Sequence, residues 1–220
     1  MTEHASEVYR GHLAQKILMN LRDYGLYRTC SKIISSMTRP VFQCRTYRLY
    51  RADLNKVVVP AVTDASFAFR FLEQGEEKYF PQIERMEEWL KGHLEFILQH
   101  GGRCLVALDK TTLAGFNLVG LQEIHIPVVD YRRPLRRRQA FSVQITVSKA
   151  YRGRGLGTTL RLEVFRALRA QGFRYFYGGT DIHNEANLAL CRKVGLEEIA
   201  NIRYLKILWI ERTTVRRFRR

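Results

Sequence analysis

Residues 143–160, VQITVSKAYRGRGLGTTL, constrain this chain more than any other stretch of it. A β-branched apolar run passes into a turn holding Gly153, Gly155 and Gly157, and a helix opens directly behind the turn. Glycine takes backbone conformations closed to other residues and lets the chain come close to a ligand. Successive N–H groups in such a turn point into one concavity, and the helix start adds partial positive charge. Arg152 and Arg154 add full charge beside it, and Leu156 and Thr158 carry the chain into the helix. The segment reads as a cradle for a pyrophosphate; the plainer alternative is a glycine-rich turn without a ligand. No Gly-Lys-Ser/Thr follows, which excludes a P-loop, and Leu160 stands where GxGxxG would need its last glycine.

The rest of the chain places this segment late in a mixed order of elements. Residues 41–51, VFQCRTYRLYR, read as a strand, 52–66 as a connector and 67–72 as a second strand. The pattern over 76–99 predicts a helix, with Pro81 near its start and Trp89, Leu90, Leu94, Ile97 and Leu98 on its apolar face. Strands are expected at 103–108, 113–125 and 139–147, the first two joined by the turn DKTT. A helix over 158–170, a strand over 174–180 and a helix over 184–194 follow, with Gly195 suited to end the last helix. Residues 196–213 read as a strand pair. Near the N-terminus, Leu13, Ile17, Leu21 and Tyr24 recur at helical spacing across 7–36. The expected organisation is a helical extension, 1–40, ahead of one domain, 41–220. Its class is α/β in the mixed α+β sense: a twisted, mostly antiparallel sheet flanked by helices.

Charge narrows the partners. The chain carries 37 Lys+Arg against 21 Asp+Glu, a net +16. Arg132, Arg133, Arg136, Arg137 and Arg138 crowd one segment, and Arg216, Arg217, Arg219 and Arg220 close the chain. Solvated loops would account for this, as would a phosphate-bearing cofactor, an acidic carrier protein or an anionic membrane surface. Nucleic acid has only the charge in its favour, since no reading motif accompanies it. The basic amphipathic stretch 7–36 fits packing on its own domain, pairing in a homodimer, or lying on an anionic membrane. Cys30, Cys44, Cys104 and Cys191 are widely spaced without a CxxC pair, so neither a metal site nor a disulfide framework is expected. The N-terminus lacks the apolar core of a signal peptide, and no apolar run approaches the ~18 residues that span a bilayer. A cytoplasmic setting is expected, with peripheral membrane contact left open.

Arg152-x-x-Gly155-x-Gly157 resembles the acyl-CoA signature of the GNAT N-acetyltransferase superfamily, Gln/Arg-x-x-Gly-x-Gly/Ala. Residues 184–196, NEANLALCRKVGL, resemble the helix Asn-x-x-Ala-x-x-Leu-Tyr-x-x-x-Gly-Phe of the same family, with Asn184, Leu190 and Gly195 in register. The resemblance is close over the last third of the chain and follows only strand order over 67–140. It implies a GNAT-like acyltransferase fold that binds acetyl-CoA or another acyl-CoA. Arg152, Gly153, Arg154, Gly155, Leu156, Gly157, Thr158 and Asn184 would hold the cofactor. A bulged strand over 145–147 would pair with the pantetheine arm through Ile145 and Val147, and the Val147 amide would stabilise the oxyanion.

Two departures bear on chemistry. Asn187 replaces the family's alanine, and Cys191 replaces the tyrosine that often protonates the departing thiolate. Cys191 as acid competes with Cys191 as a small buried hydrophobe, and Tyr204 is another candidate acid. The family's reaction is direct attack of an amine on the thioester. An amine of pKa ~10.4 needs its proton removed first. Strand 139–147 has Ser142 and Gln144 but no acid, which leaves Glu123 as the candidate base, ahead of His125, Asp181 and His183. The resemblance leaves the acceptor open. It also admits a long-chain N-acyltransferase fed by acyl carrier protein, and a catalytically degenerate CoA-binding sensor or scaffold.

Overall fold

A computed structural model describes residues 42–60, 66–73 and 75–218. The chain divides into two compact units. Of the described residues, the smaller holds 42–44 with Tyr204–Arg212, and the larger holds those of Arg45–Arg203 with 213–218. The helical extension expected over 7–36 lies outside the described residues, as does the whole of the segment 1–40.

In chain order the strands are β1 (Phe42–Asp53), β2 (Ala68–Phe71), β3 (Arg103–Asp109), β4 (Thr112–Gly120), β5 (Glu123–Ile126), β6 (Tyr131–Pro134), β7 (Gln139–Val147), β8 (Tyr175–Asp181), β9 (Glu197–Ile207) and β10 (Ile210–Arg217). The α-helices are α1 (Phe80–Met86), α2 (Leu94–Gln99), α3 (Leu156–Ala170) and α4 (Glu185–Lys193). Eight strands share one sheet in the order β10-β9-β1-β8-β7-β4-β3-β2, while β5 and β6 form a separate two-stranded sheet. Pairings β1·β8, β2·β3, β3·β4 and β4·β7 are antiparallel, and β7·β8 is parallel. A parallel pair needs a crossover, and α3 supplies it.

The period-2 alternation of the central strands divides their side chains between two cores. From β3, Leu105 and Ala107 join Leu156, Leu160, Val164, Phe165 and Leu168 of α3. From the same strand, Cys104, Val106 and Leu108 join Ile83 of α1, Leu90 and Leu94. Phe165 meets Phe176 edge-on with centroids 4.9 Å apart, which locks α3 against β8. Truncating Leu160, which is fully buried, to alanine would cost about 2–5 kcal/mol.

Four elements differ from the sequence expectation. The helix expected over 76–99 is broken: a 3₁₀ turn at Glu77–Tyr79, α1, a second 3₁₀ turn at Glu88–Leu90, and α2. Pro81 lies in the first turn of α1, Glu87 takes an extended conformation, and Gly92 has φ +71, so no single helix can run through. The strand expected over 113–125 stops at Gly120, and after a bend β5 pairs with β6 instead. Strand β6 itself was hidden by its composition, Tyr-Arg-Arg-Pro, with the proline at its end where no ladder hydrogen bond is lost. Helix α3 starts at Leu156, two residues earlier than its apolar period indicates, because the glycine turn feeds straight into it.

Candidate active site

Strands β7 and β8 part company halfway along. Their parallel register runs from Gln139↔Tyr175 to Ser142↔Gly178 and stops there, although β7 continues to Val147 and β8 to Asp181. On its other edge β7 stays paired with β4, but the register jumps from Leu118↔Gln144 to Val119↔Ser142. Val143 is therefore the extra residue of a β-bulge, and a bulge bends its strand and sharpens its twist. Bulge and divergence together open a wedge-shaped gap between β7 and β8. The N–H of Ser148 bonds the carbonyl of Ala114 at 2.8 Å, across to the β4 side. Backbone groups alternate along a strand, so Ile145 and Val147 turn theirs into the gap. The carbonyl of Val147 accepts from Arg152 Nε at 3.0 Å, and no pairing with β8 uses the Val147 N–H.

The gap leads into the glycine turn. Gly153 and Gly155 have φ of +80 and +79, and a Cβ built on either meets nothing within 4 Å. That is the left-handed region, where a side chain would be strained but has room. Gly155 is the N-cap of α3, without a capping side chain, and its carbonyl accepts from the N–H groups of Thr158 and Thr159. Among the described residues the amides of Leu156 and Gly157, at the positive end of the helix, have no hydrogen-bond acceptor. No acidic residue stands in the first turn, and Arg152 and Arg154 are exposed beside it. Tyr151 pins the turn from behind: its hydroxyl donates to Asp109 Oδ2 at 3.0 Å, which raises its pKa, and its ring meets Phe67 edge-on. Gly157 lies under α4, where a Cβ would stand 3.2 Å from Leu190 Cδ1.

These features test whether an acyl-CoA fits. Free N–H groups at a helix start suit a pyrophosphate. An unpaired strand edge suits the amides of a pantetheine arm. Asn117, fully buried on β4 beside the bulge, donates to Ser142 Oγ and to the Gln144 carbonyl at 3.0 and 2.8 Å. Its Oδ1 is buried without a partner, an acceptor that an amide donor could satisfy. The residues present fit the group. A cavity of about 530 Å³, lined in part by Asp53, Lys56, Leu162 and Lys193, lies away from the gap and shares only Thr158 with the glycine loop.

The remaining candidates are scattered. Asn184 is the N-cap of α4, its side chain accepting from the Asn187 N–H at 3.1 Å. Cys191 is buried in the α3-side core, and burial raises its pKa, with Arg161 opposing the rise. Glu123 sits on β5, in the small sheet rather than on β4, 3.6 Å from Arg132 and 4.0 Å from His125. Asp181 accepts from the His183 N–H at 2.9 Å and so organises the turn before α4. Tyr204 is a buried residue of β9 within the smaller unit, where its hydroxyl and Lys206 both bond Glu211 and lower that carboxyl's pKa. Among the described residues no cluster of three or more His, Cys, Asp or Glu could hold a metal. No described helix is long and apolar enough to cross a membrane.

One group of polar residues escaped the sequence reading. Thr146 pairs with Phe116 and Gln144 with Leu118, which places both side chains on the sheet face opposite α3. There Gln144 Nε2 donates to Thr146 Oγ1 at 3.0 Å, and Thr146 Oγ1 donates to Glu87 Oε1 at 2.6 Å. The only local hint was a polar run at alternate positions, Ser142, Gln144 and Thr146, in a strand whose remaining residues after Gln139 are apolar. Nothing local indicated Glu87.

The comparisons with known proteins agree with this geometry. The family model described as "Acetyltransferase (GNAT) family" matches residues 66–196, more than half of the chain. The chain belongs to that family. Among solved structures, the GCN5-related N-acetyltransferase from Sphaerobacter thermophilus superposes with a TM-score of 0.55 at 15% identity, over 82% of this chain and 57% of that one. A GCN5-related glucosamine N-acetyltransferase region of a fungal multi-domain β-N-acetylglucosaminidase gives 0.58 at 13% identity, over 80% of this chain and 22% of that one. A tandem GNAT protein from the clavulanic acid biosynthesis pathway gives 0.53 at 17%, over 84% and 58%. Likeness at such identities concerns the fold. The chain spans a little over half the length of the first and third of these structures. Among curated proteins, none matches it significantly.

Proposed function

We propose that this chain is an N-acyltransferase that moves an acetyl, or other acyl, group from acyl-CoA to an amine. The observation that carries the reading is the continuous path from the bulge at Val143, along the unpaired edge of Ile145 and Val147, to the glycine turn at the start of α3. In this reading Arg152, Arg154 and the amides of Gly153, Gly155, Leu156 and Gly157 hold the pyrophosphate. Thr158 supports the turn through its bond to Gly155. Asn184 acts through the start of α4, and Ile145 and Val147 pair with the pantetheine arm. The Val147 N–H faces the thioester oxygen as it gains charge. The amine nitrogen forms the new C–N bond and gives up a proton to solvent, the C–S bond breaks, and the thiolate leaves with the electron pair and takes up a proton from solvent.

Cys191 is a packing residue in this scheme, and solvent serves as the acid. Calorimetric titration with acetyl-CoA tests the reading directly. Micromolar affinity that disappears in Gly155→Asp supports it, and a folded wild-type protein that binds no acyl-CoA ends it. Mass spectrometry of ligand retained on purification distinguishes an acetyl donor from a long-chain one, and with it the coenzyme from a carrier protein.

A further inference from the structure

The acyl-CoA path occupies the edge of β7 that faces β8 and the turn leading into α3. On that side, Ile145 and Val147 pack against the core formed by α3. An acceptor therefore has to approach the gap from the other face of the sheet. That face carries the chain Gln144–Thr146–Glu87. It is directional: an amide N–H donates to a hydroxyl, which spends its own proton on a carboxylate. A hydroxyl donated in this way fixes one lone pair of Glu87 and leaves the other oxygen, Oε2, with no hydrogen-bond partner among the described residues. Glu87 itself sits at the break between α1 and the following 3₁₀ turn, with φ −141 and ψ 92. The broken helix thus has a consequence, since it presents a half-buried carboxylate to β7. Thr146 is 8% exposed, so its hydroxyl is held by the protein rather than by water.

We propose that Glu87 is the catalytic carboxylate of the acceptor side, with Thr146 and Gln144 as its positioning residues, and that the acceptor is a primary amine that is cationic in solution. This rests on the acyltransferase reading above. The chemistry sets the role closely. At neutral pH a free amine of pKa ~10.4 is mostly ammonium and cannot attack in that form. Glu87 attracts the ammonium by charge and accepts a hydrogen bond from the neutral minority form that attacks. As the C–N bond forms, the nitrogen becomes acidic, and Glu87 takes its proton. The tetrahedral adduct then expels the thiolate with the C–S electron pair. The thiolate takes a proton from solvent and Glu87 returns one, so the carboxylate is restored at each turnover.

The test uses the full chain with acetyl-CoA and three probe amines, spermidine, lysine methyl ester and glucosamine, following release of the thiol. Glu87→Gln is isosteric and should fold, as a thermal melt will check. The expected result is a fall of at least a hundredfold in turnover of whichever amine the wild type accepts, with affinity for acetyl-CoA unchanged by calorimetry. Glu87→Asp should recover part of the loss. Thr146→Val should lower kcat by about tenfold with KM for the amine little changed, because the carboxylate keeps its charge but loses its aim. Turnover within threefold of wild type in Glu87→Gln overturns the proposal. So does a parallel loss of acetyl-CoA binding, which would mean that Glu87 only supports the fold. A wild-type protein that binds acetyl-CoA but acetylates none of the three amines also overturns it. Failure to bind acetyl-CoA at all counts against the acyltransferase reading instead.

Discussion

The two faces of β7 are built in different ways. Toward α3, the machinery is backbone: free amides, two left-handed glycines and an unpaired strand edge, all within residues 143–157. Toward α1, it is side chain: a carboxylate, a hydroxyl and an amide, with Thr146 and Glu87 59 residues apart in sequence. In the acyltransferase reading proposed above, the first face would recognise what every acyl-CoA shares, a pyrophosphate and two amides, and backbone suffices for that. In the same reading the second would select one acceptor, and side chains can be exchanged for that purpose without disturbing the fold.

The strongest way to break this comparison is to damage one face and read the other. Gly155→Asp introduces negative charge where the pyrophosphate would sit. Its side chain has space, so the cost to folding is the strain of a φ of +79, about 1 kcal/mol. Acetyl-CoA affinity should fall at least a hundredfold, about 2.7 kcal/mol. Turnover extrapolated to saturating acetyl-CoA should change far less, and KM for the amine should hold. Equal damage to amine handling would mean that the two faces are not separable.

The contrast also explains how much could be read in advance. Strands β1, β3, β7 and β8 and helices α3 and α4 announce themselves by period, and Gly195 ends α4 with the N–H groups of Gly195 and Leu196 bonded to Arg192 and Cys191. The glycine turn could be read because everything it needs is contiguous. A bulged strand was expected over 145–147 only by resemblance; the register shift falls earlier, at Val143, which no residue type marks. Glu87 could not be found, because a carboxylate in a stretch of helical period looks like solvated surface until the helix breaks. Glu123 drew attention for the opposite reason: it sits in a run that reads as a continuation of β4, while the chain bends after Gly120 and gives it to the small hairpin beside Arg132. The helical extension over 7–36 lies beyond the described residues, so its stripe of apolar positions remains a sequence expectation.

Next in size is a stability effect on the α3 side. Arg161 is 2% exposed, with Nε and Nη1 buried and unpartnered and its guanidinium 5.0 Å from the Phe176 ring centre. Burial lowers its pKa to about 10. A charge held this way penalises the fold, so Arg161→Met should be neutral or stabilising, by up to about 3 kcal/mol in urea denaturation. Below about pH 9 both folded and unfolded chains keep the proton, and the gap between variant and wild type is constant. Above about pH 10 the folded wild type releases the proton before the unfolded chain does, gains stability and closes the gap. Acetyl-CoA affinity should stay within threefold. A larger loss would give the α3 face a side-chain contribution and weaken the contrast drawn above.

Cys191 sharpens the same point more gently. Buried in the α3-side core with a raised pKa, it should resist iodoacetamide at neutral pH while exposed Cys44 is alkylated, as peptide mass spectrometry will read. Cys191→Ala should cost about 1 kcal/mol of stability and less than threefold in turnover. A hundredfold loss of turnover would make the thiol the acid after all and place a catalytic side chain on the backbone-built face.

The smallest expected effect concerns the approach to α1. Glu76 accepts from both terminal nitrogens of Arg70 and from the Glu73 N–H at 3.0 Å, and the Arg70 bonds are the main reason its carboxyl falls to about 2. A carboxyl depressed in the fold adds stability above its unfolded pKa of ~4.3 and loses it as pH falls toward the folded value. The Arg70 side chain is 40% exposed, so water and salt screen the pair, and the contribution at neutral pH should be about 0.5–1 kcal/mol. Glu76→Gln should lower the thermal midpoint by a few degrees at pH 7 and by much less at pH 2, where the folded carboxyl is about half protonated. It should also become less marked in high salt. Since this pair anchors the turn that leads into α1, and the end of α1 carries Glu87, the amine side has one more way to fail. A loosened anchor would raise KM for the amine and leave acetyl-CoA affinity alone. If Glu76→Gln instead weakens acetyl-CoA binding, the segment before α1 serves the cofactor face as well, and the division of labour across β7 is less clean than its hydrogen bonds indicate.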